Sequence, residues 1–120
     1  MSRPPITWLS APEDHNYPAA LSYLSLLFPP AEAARLVAGL RAETLCRFKA
    51  KDIFRASGLS LLGVSNSHVQ KDQDKIKDGK ALSPILLVRS SGKVVIADGY
   101  HRLCAVYGFD EDAEIPCRIV

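Results

Sequence analysis

Apolar positions along the chain fall into short blocks of two different periods, separated by Pro, Gly, Asp and Ser. Residues 19–28 place Leu21, Leu24, Leu27 and Phe28 at helical spacing and stop at Pro29-Pro30. Residues 31–42 restart behind a proline suited to a first helical position. Ala34, Val37, Ala38 and Arg41 run along one side there, with Leu36 and Leu40 beside them. The pair predicts an N-terminal helical hairpin. Residues 44–49 alternate, with Leu45, Arg47 and Lys49 against Thr44, Cys46 and Phe48, and predict a first strand. A short helix over 50–57 points Ile53 and Phe54 inward and stops at Gly58. A loop with an apolar patch (Leu59, Leu61, Leu62, Val64) follows.

Ser65-Asn66-Ser67 caps the next helix, which runs to about Lys77 and ends at Asp78-Gly79. Residues 84–89 and 93–97 are strands joined by Ser90-Ser91-Gly92, the mark of a hairpin. A helix over 99–107 is expected to end at Gly108. The last strand, 115–120, carries Pro116 near its start, which points to a sheet edge or to a strand's opening residues. Ahead of these elements, residues 1–17 form a Pro-rich arm that Trp8 and Tyr17 would pin to the body. The expected class is α+β: a small mixed sheet with packed helices, plus the N-terminal helical hairpin. The expected division is an arm and hairpin over 1–42 and a second part over 43–120, forming one compact unit.

With 48% hydrophobic residues, 120 residues suffice for one modest core. The longest apolar runs fall short of a membrane span. The start, Arg3-Pro4-Pro5 followed by mixed polar residues, is unlike a signal peptide, so no membrane partner and a cytoplasmic location are expected. A formal charge of +2 is too mild to favour nucleic acid as a partner. The hairpin helices also lack the Arg, Lys, Asn or Gln face that groove reading requires. The distribution of charge says more. From Arg47 to Arg102 there are eleven Lys or Arg and five Asp, 11 − 5 = +6, and the acidic cluster Asp110, Glu111, Asp112 and Glu114 follows. Such asymmetry can focus an anion on one face, although alternating Lys and Asp over 72–78 also suits a solvated helix. Cys46, Cys104 and Cys117 lie in apolar surroundings without Cys-x-x-Cys spacing, so buried free thiols are expected; a Cys46–Cys117 bridge stays open but is poorly motivated. His15, His68 and His101 lack metal-ligand spacing, and no metal ligand is assigned.

The strongest chemical signal is Val94-Val95-Ile96-Ala97-Asp98-Gly99-Tyr100-His101-Arg102-Leu103. A run of β-formers ends at Asp-Gly and gives way to a helix whose first turn carries His and Arg. Asp98 is a natural N-cap, and Gly99 permits a tight exit from the strand. Unpaired amides of the first turn, the helix dipole, an imidazole and a guanidinium together suit a phosphate or carboxylate. The bland alternative is an ordinary helix start with surface His and Arg.

The order of segments extends this signal. A helix over 67–76 precedes the Pro84-Ile85 strand. Next come the strand ending in Asp98-Gly99-Tyr100-His101-Arg102, its helix, and a final strand with Pro116 near its start. This arrangement, over residues 43–120, resembles the ParB/sulfiredoxin superfamily. The resemblance implies that His101 and Arg102 match a His-Arg pair contacting nucleotide phosphate. The family's Lys, Ser and Thr phosphate contacts fall at His68, Lys71 and Lys75. The reactive thiol of sulfiredoxins falls at Tyr100, and a phenol with a pKa of about 10 cannot replace a thiolate, so sulfiredoxin activity is not expected. Tyr100 could stack on a base, but packing at the helix–sheet seam is favoured.

The Asp-Gly-x-x-Arg form is similar to that of the superfamily's free serine kinases, which makes Asp98 the candidate catalytic residue, with Asp52 a conceivable second acid. Asp98-Gly99-Tyr100-His101-Arg102 lacks the Gly-Glu-Arg-Arg wording of CTP-binding ParB proteins. The chain also ends before a helix-turn-helix domain, so chromosome partitioning is not expected. Nuclease chemistry would need Mg²⁺ on carboxylates, of which Asp98 alone is well placed.

Two functions from different classes follow. One is a phosphate- or nucleotide-binding enzyme with phosphotransferase, nucleotidase or nuclease chemistry. It would grip phosphate through Gly99, Tyr100, His101, Arg102, His68, Lys71 and Lys75, with Mg²⁺ and ATP, ADP or CTP as cofactors. The other is a non-catalytic ParB-like module that docks a partner or forms a homodimer through its N-terminal helices. Nucleic acid stays open as a partner but is not favoured.

Overall fold

Alternation in four short strands divides their side chains between two faces, and each face is covered by its own helices. A computed structural model describes residues 5–61 and 66–120. In chain order the elements are α1 (Asn16–Leu27), α2 (Pro30–Ala42), β1 (Cys46–Lys49), α3 (Ala50–Ser57), α4 (Ser67–Lys77), β2 (Ile85–Ser90), β3 (Lys93–Asp98), α5 (Tyr100–Phe109) and β4 (Glu114–Ile119). They form an α+β fold around a mixed sheet of order β1-β4-β2-β3. Along β2 the period of two is direct. Ile85 and Leu87 enter one core with Ile53, Val69, Ile76 and Leu103 from α3, α4 and α5. Leu86 and Val88 enter the other, with Leu24, Val37 and Leu40 from α1 and α2. Burial on both faces explains why this segment is a continuous apolar run.

The β2–β3 hairpin closes through Ser91 and Gly92, both at positive φ (50° and 78°), as a type I′ turn requires. β4 runs antiparallel to β1 and parallel to β2, so it is an inner strand. Of the two readings of Pro116, the sheet edge is corrected, while a place among the strand's opening residues holds. Its missing N–H is tolerated because the ladder to β2 starts at Cys117, one residue later.

The N-terminal helices exist as expected, but their buried rows are shifted. Tyr17, Ala20 and Leu24 of α1 are buried, whereas Leu21 and Leu27 are exposed. On α2 the inward row is Ala33, Val37 and Leu40, whereas Ala34 and Ala38 face outward. Both helices carry apolar residues around much of their circumference, so spacing alone admits several phases. Ala20 and Ala33, fully buried, mark the sides that approach their neighbours closely. Tyr17 belongs to α1 rather than to the arm. Its hydroxyl accepts a hydrogen bond from Arg118 Nη1 at 2.8 Å, and the Arg41 guanidinium lies 4.2 Å from its ring centre. The arm is held by Leu9 N–H to Leu82 O and Leu82 N–H to Thr7 O, both 2.8 Å, and Trp8 packs on the core.

Leu62, Val64 and Ser65 lie outside the described residues, while Leu59 and Leu61 are exposed. Of the three expected capping residues, Asn66 does the capping for α4. Its Oδ1 accepts from the amides of His68 (3.0 Å) and Val69 (3.3 Å). Asn66→Ala is expected to lower stability by about 1 kcal/mol, read as a shift in the denaturant midpoint without a change in slope.

α5 continues through Gly108 to Phe109 instead of stopping there. Gly108 has a packing role: a Cβ at that position would lie 2.6 Å from Gln73 Nε2 on α4. Gln73 is buried and donates to Ala105 O at 3.4 Å, so α4 and α5 meet closely. Among the described residues no helix is long and apolar enough to cross a membrane.

Candidate functional site

The site is built where β3 hands over to α5. Leu87 pairs with Ile96 but Leu86 pairs with Asp98, so Ala97 is an extra residue in the ladder, a bulge beside the strand's end. Gly99 follows at φ +110°, a conformation that side-chain-bearing residues rarely adopt. A Cβ there would also collide with the Ile85 side chain and lie 2.9 Å from Arg102 Nη2. Glycine is thus demanded twice, by backbone and by space. The first helical bond runs from Leu103 N–H to Gly99 O at 2.9 Å, and the amides of Tyr100, His101 and Arg102 precede it.

Asp98 does not cap this helix. The cap position is Gly99, with no side-chain cap bond, and the Asp98 carboxylate accepts from Arg102 Nη2 at 3.0 Å. The left-handed turn at Gly99 moves the cap one residue on, and a guanidinium one helical turn away offers a charge-assisted bond instead. The helix start is therefore partly filled by the protein's own side chains. Asp98 and Arg102 are only 19% and 17% exposed, so this is a shielded pair rather than a surface one. Arg102 Nη2 also lies 3.5 Å from Pro84 O. Its Nε is buried without an acceptor among the described residues.

The tight α4–α5 contact brings a second set of side chains to the same place. His68, Lys71, Asp72 and Lys75 of α4 line one cleft of about 240 Å³ with Asp98, Gly99, Tyr100, His101 and Arg102. Every residue singled out from the sequence for phosphate contact lines it, as does Asp98. The His68 and His101 rings stand 4.9 Å apart, tilted by 41°.

Asp72 is the cleft residue that sequence reasoning missed. The signal was its spacing, since positions 68, 72 and 75 share a helix face, but the Lys/Asp alternation around it suited a solvated surface. Burial raises the Asp72 carboxyl above the usual aspartate range, while the charges of Lys75, Arg102, His101 and His68 pull against that rise. Asp52 is not among the cleft residues. It faces Arg55 at 3.7 Å on α3 and lines a separate cavity with Phe48, Ile53 and Leu87.

Tyr100 is partly buried at the start of α5. Its ring packs on the core, and its hydroxyl donates to Ser60 O. Burial, and then Cys104, push the phenol further up, so it stays protonated. Cys104 lies against Tyr100 but is buried in the core and does not line the cleft.

With neutral histidines the cleft carries Lys71, Lys75 and Arg102 against Asp72 and Asp98, 3 − 2 = +1. Some of the basic excess noted in the sequence is spent elsewhere: Lys49 and Lys51 approach Asp112 at 3.9 and 2.6 Å. Among the described residues no group of three or more His, Cys, Asp or Glu side chains could hold a metal ion. Of the two carboxylates in the cleft, that of Asp98 is committed to Arg102. These residues do not make a protein-built Mg²⁺ site.

The chain matches no protein-family model and has no significant match among curated proteins or solved structures.

Chemically, the cleft can hold an oxyanion between ammonium groups, imidazoles and unpaired helix amides. Its two carboxyls differ. Asp98 is neutralised by a guanidinium, whereas Asp72 has no hydrogen bond or ion-pair partner among the described residues, which suits a group that exchanges a proton.

Proposed function

We propose that this chain is a ParB/sulfiredoxin-like protein that binds the phosphate of a nucleotide or other small phosphate-bearing molecule at the start of α5. One observation carries the reading: His68, Lys71 and Lys75 from α4 and Gly99, Tyr100, His101 and Arg102 from the β3–α5 turn line a single polar cleft. Lys71 and Lys75 supply charge, and the first-turn amides supply directed donors. Asp98 holds Arg102 in place, and Asp72 is the free carboxyl for acid–base work in phosphotransferase, nucleotidase or nuclease chemistry.

A second reading, a non-catalytic module that docks a partner or dimerises through its N-terminal helices, is favoured by one feature. Leu26 and Leu27 on the outer side of α1 are 82% and 50% exposed.

Thermal unfolding with inorganic phosphate, ATP, ADP and CTP, with and without Mg²⁺, together with phosphate release, tests these readings. Stabilisation with turnover supports the enzyme, and stabilisation without turnover supports the module. No stabilisation by any of them rejects the cleft as a phosphate site.

Asp72 adds a pH signature. An anion in the cleft disfavours the ionised carboxylate, so binding takes up a proton and affinity falls as pH rises through the upward-shifted Asp72 titration. The groups facing Asp72 are Lys75 and His68 from α4 and His101 and Arg102 from α5. Asp72→Asn is expected to tighten phosphate binding above that titration and to flatten this part of the pH profile. An unchanged profile in the variant would exclude Asp72 from the cleft's proton balance.

A further inference from the structure

Outside the cleft, the cysteines of β1 and β4 form a close pair of thiols. Cys46 and Cys117 are direct partners in the antiparallel register, so strand geometry places their Cα atoms about 4.5–5.5 Å apart, inside the range a disulfide spans. Their sulfurs lie 3.9 Å apart, and each thiol also approaches the other residue's carbonyl, at 3.5 and 3.7 Å. Both are free thiols. Cys46 is half-buried on the edge strand, and Cys117 is buried on the inner one.

We propose that Cys46 and Cys117 are a reversible oxidation site that small disulfide oxidants of the glutathione type convert to a cross-strand disulfide. This inference is independent of the phosphate cleft, which neither cysteine lines. The Cys46 thiolate, on the accessible edge, attacks one sulfur of oxidised glutathione, forming a mixed disulfide and releasing one glutathione thiolate. Cys117 then loses its proton to solvent, its sulfur attacks Cys46 Sγ, and the second glutathione leaves. Two protein thiols are oxidised, and one glutathione disulfide is reduced to two glutathione molecules. Closing the bond needs only side-chain rotation, because the register already holds the backbones at bridging distance. Burial, followed by the neighbouring Cys46, pushes the Cys117 thiol well up, so the second step accelerates as pH rises. The product joins positions 46 and 117, enclosing most of the chain in one covalent loop and fastening the edge strand to its neighbour. Such a crosslink stabilises chiefly by restricting the unfolded chain.

The test treats the whole protein with oxidised glutathione, followed by intact mass analysis, peptide mapping and thermal unfolding. The expected result is a mass lower by two hydrogens, a linked peptide pair containing Cys46 and Cys117, and a melting temperature raised by several degrees. All three should be reversed by dithiothreitol. Cys104→Ser should retain the bridge, and Cys46→Ser should abolish it. Should Cys46→Ser not fold, alkylation of the oxidised wild-type protein under denaturing conditions answers the same question, with only Cys104 expected to be labelled. An unchanged mass, a persistent glutathione adduct on Cys46, or a bridge that includes Cys104 would overturn the proposal.

Discussion

Gly99→Ala is expected to destabilise the protein by about 3 kcal/mol, the largest effect of any single-methyl change at the site. Two costs add. An L-residue at φ +110° is strained, and the new methyl would occupy space held by the Ile85 side chain and by Arg102 Nη2. Ile85 is fully buried between the two neighbouring strands and cannot step aside without opening the core. Gly79→Ala is the matched comparison. Gly79 also has positive φ (74°) but nothing within 4 Å of a Cβ, so it should show the strain alone, about 1 kcal/mol. Chemical denaturation of the two variants beside the wild type measures the difference. Equal midpoints for Gly99→Ala and the wild type would mean that the turn does not hold this conformation in solution.

Arg102→Ala is expected to act on stability and binding together. It leaves the Asp98 carboxylate shielded from water and without its guanidinium, a loss of about 3 kcal/mol in stability. It also removes a charge-assisted donor from the cleft, which should weaken phosphate binding by about 2 kcal/mol, or roughly 30-fold. Asp98→Asn separates the two effects. It keeps the shape of the carboxylate, frees the guanidinium, raises the cleft's formal charge by one, and should bind phosphate more tightly than the wild type. The double variant Asp98→Asn/Arg102→Ala should recover part of the stability lost in Arg102→Ala, because no buried charge is then left alone. Calorimetric titration with inorganic phosphate, alongside denaturation, reads all three. Phosphate affinity unchanged in Arg102→Ala would remove the guanidinium from the proposed grip.

Both expectations depend on a contact that local sequence rules misassign. Asp98 followed by glycine at a strand-to-helix junction satisfies every local criterion for an N-cap, yet its carboxylate turns to Arg102 instead. The choice depends on the φ of Gly99 and on the wall formed by Ile85, which arrives from β2. Pro116 follows the same logic. Proline argues for an edge within a strand considered alone, but the register with β2 starts one residue later and makes the position harmless in an inner strand. The helix phases of α1 and α2 were also beyond local pattern. Leu21, Leu24, Leu27 and Phe28 share helical spacing, but Ala20 and Tyr17 decide which side lies on the sheet.

What the linear order of residues determined was the kind of element at each place and the chemistry each could offer. The continuous apolar run of β2, the helix caught between Asn66 and Gly79, and the Lys, Arg and His side chains at 68, 71, 75, 101 and 102 depend only on neighbours a few positions away, which local sterics and hydrogen bonding settle. What folding alone decided was pairing. The glycine-permitted contact between α4 and α5 carried Asp72 from an apparently solvated run into the cleft, and the β1–β4 register set Cys46 opposite Cys117 across seventy residues of chain. Such pairings depend on long-range burial and strand register, and no short window of sequence contains both partners.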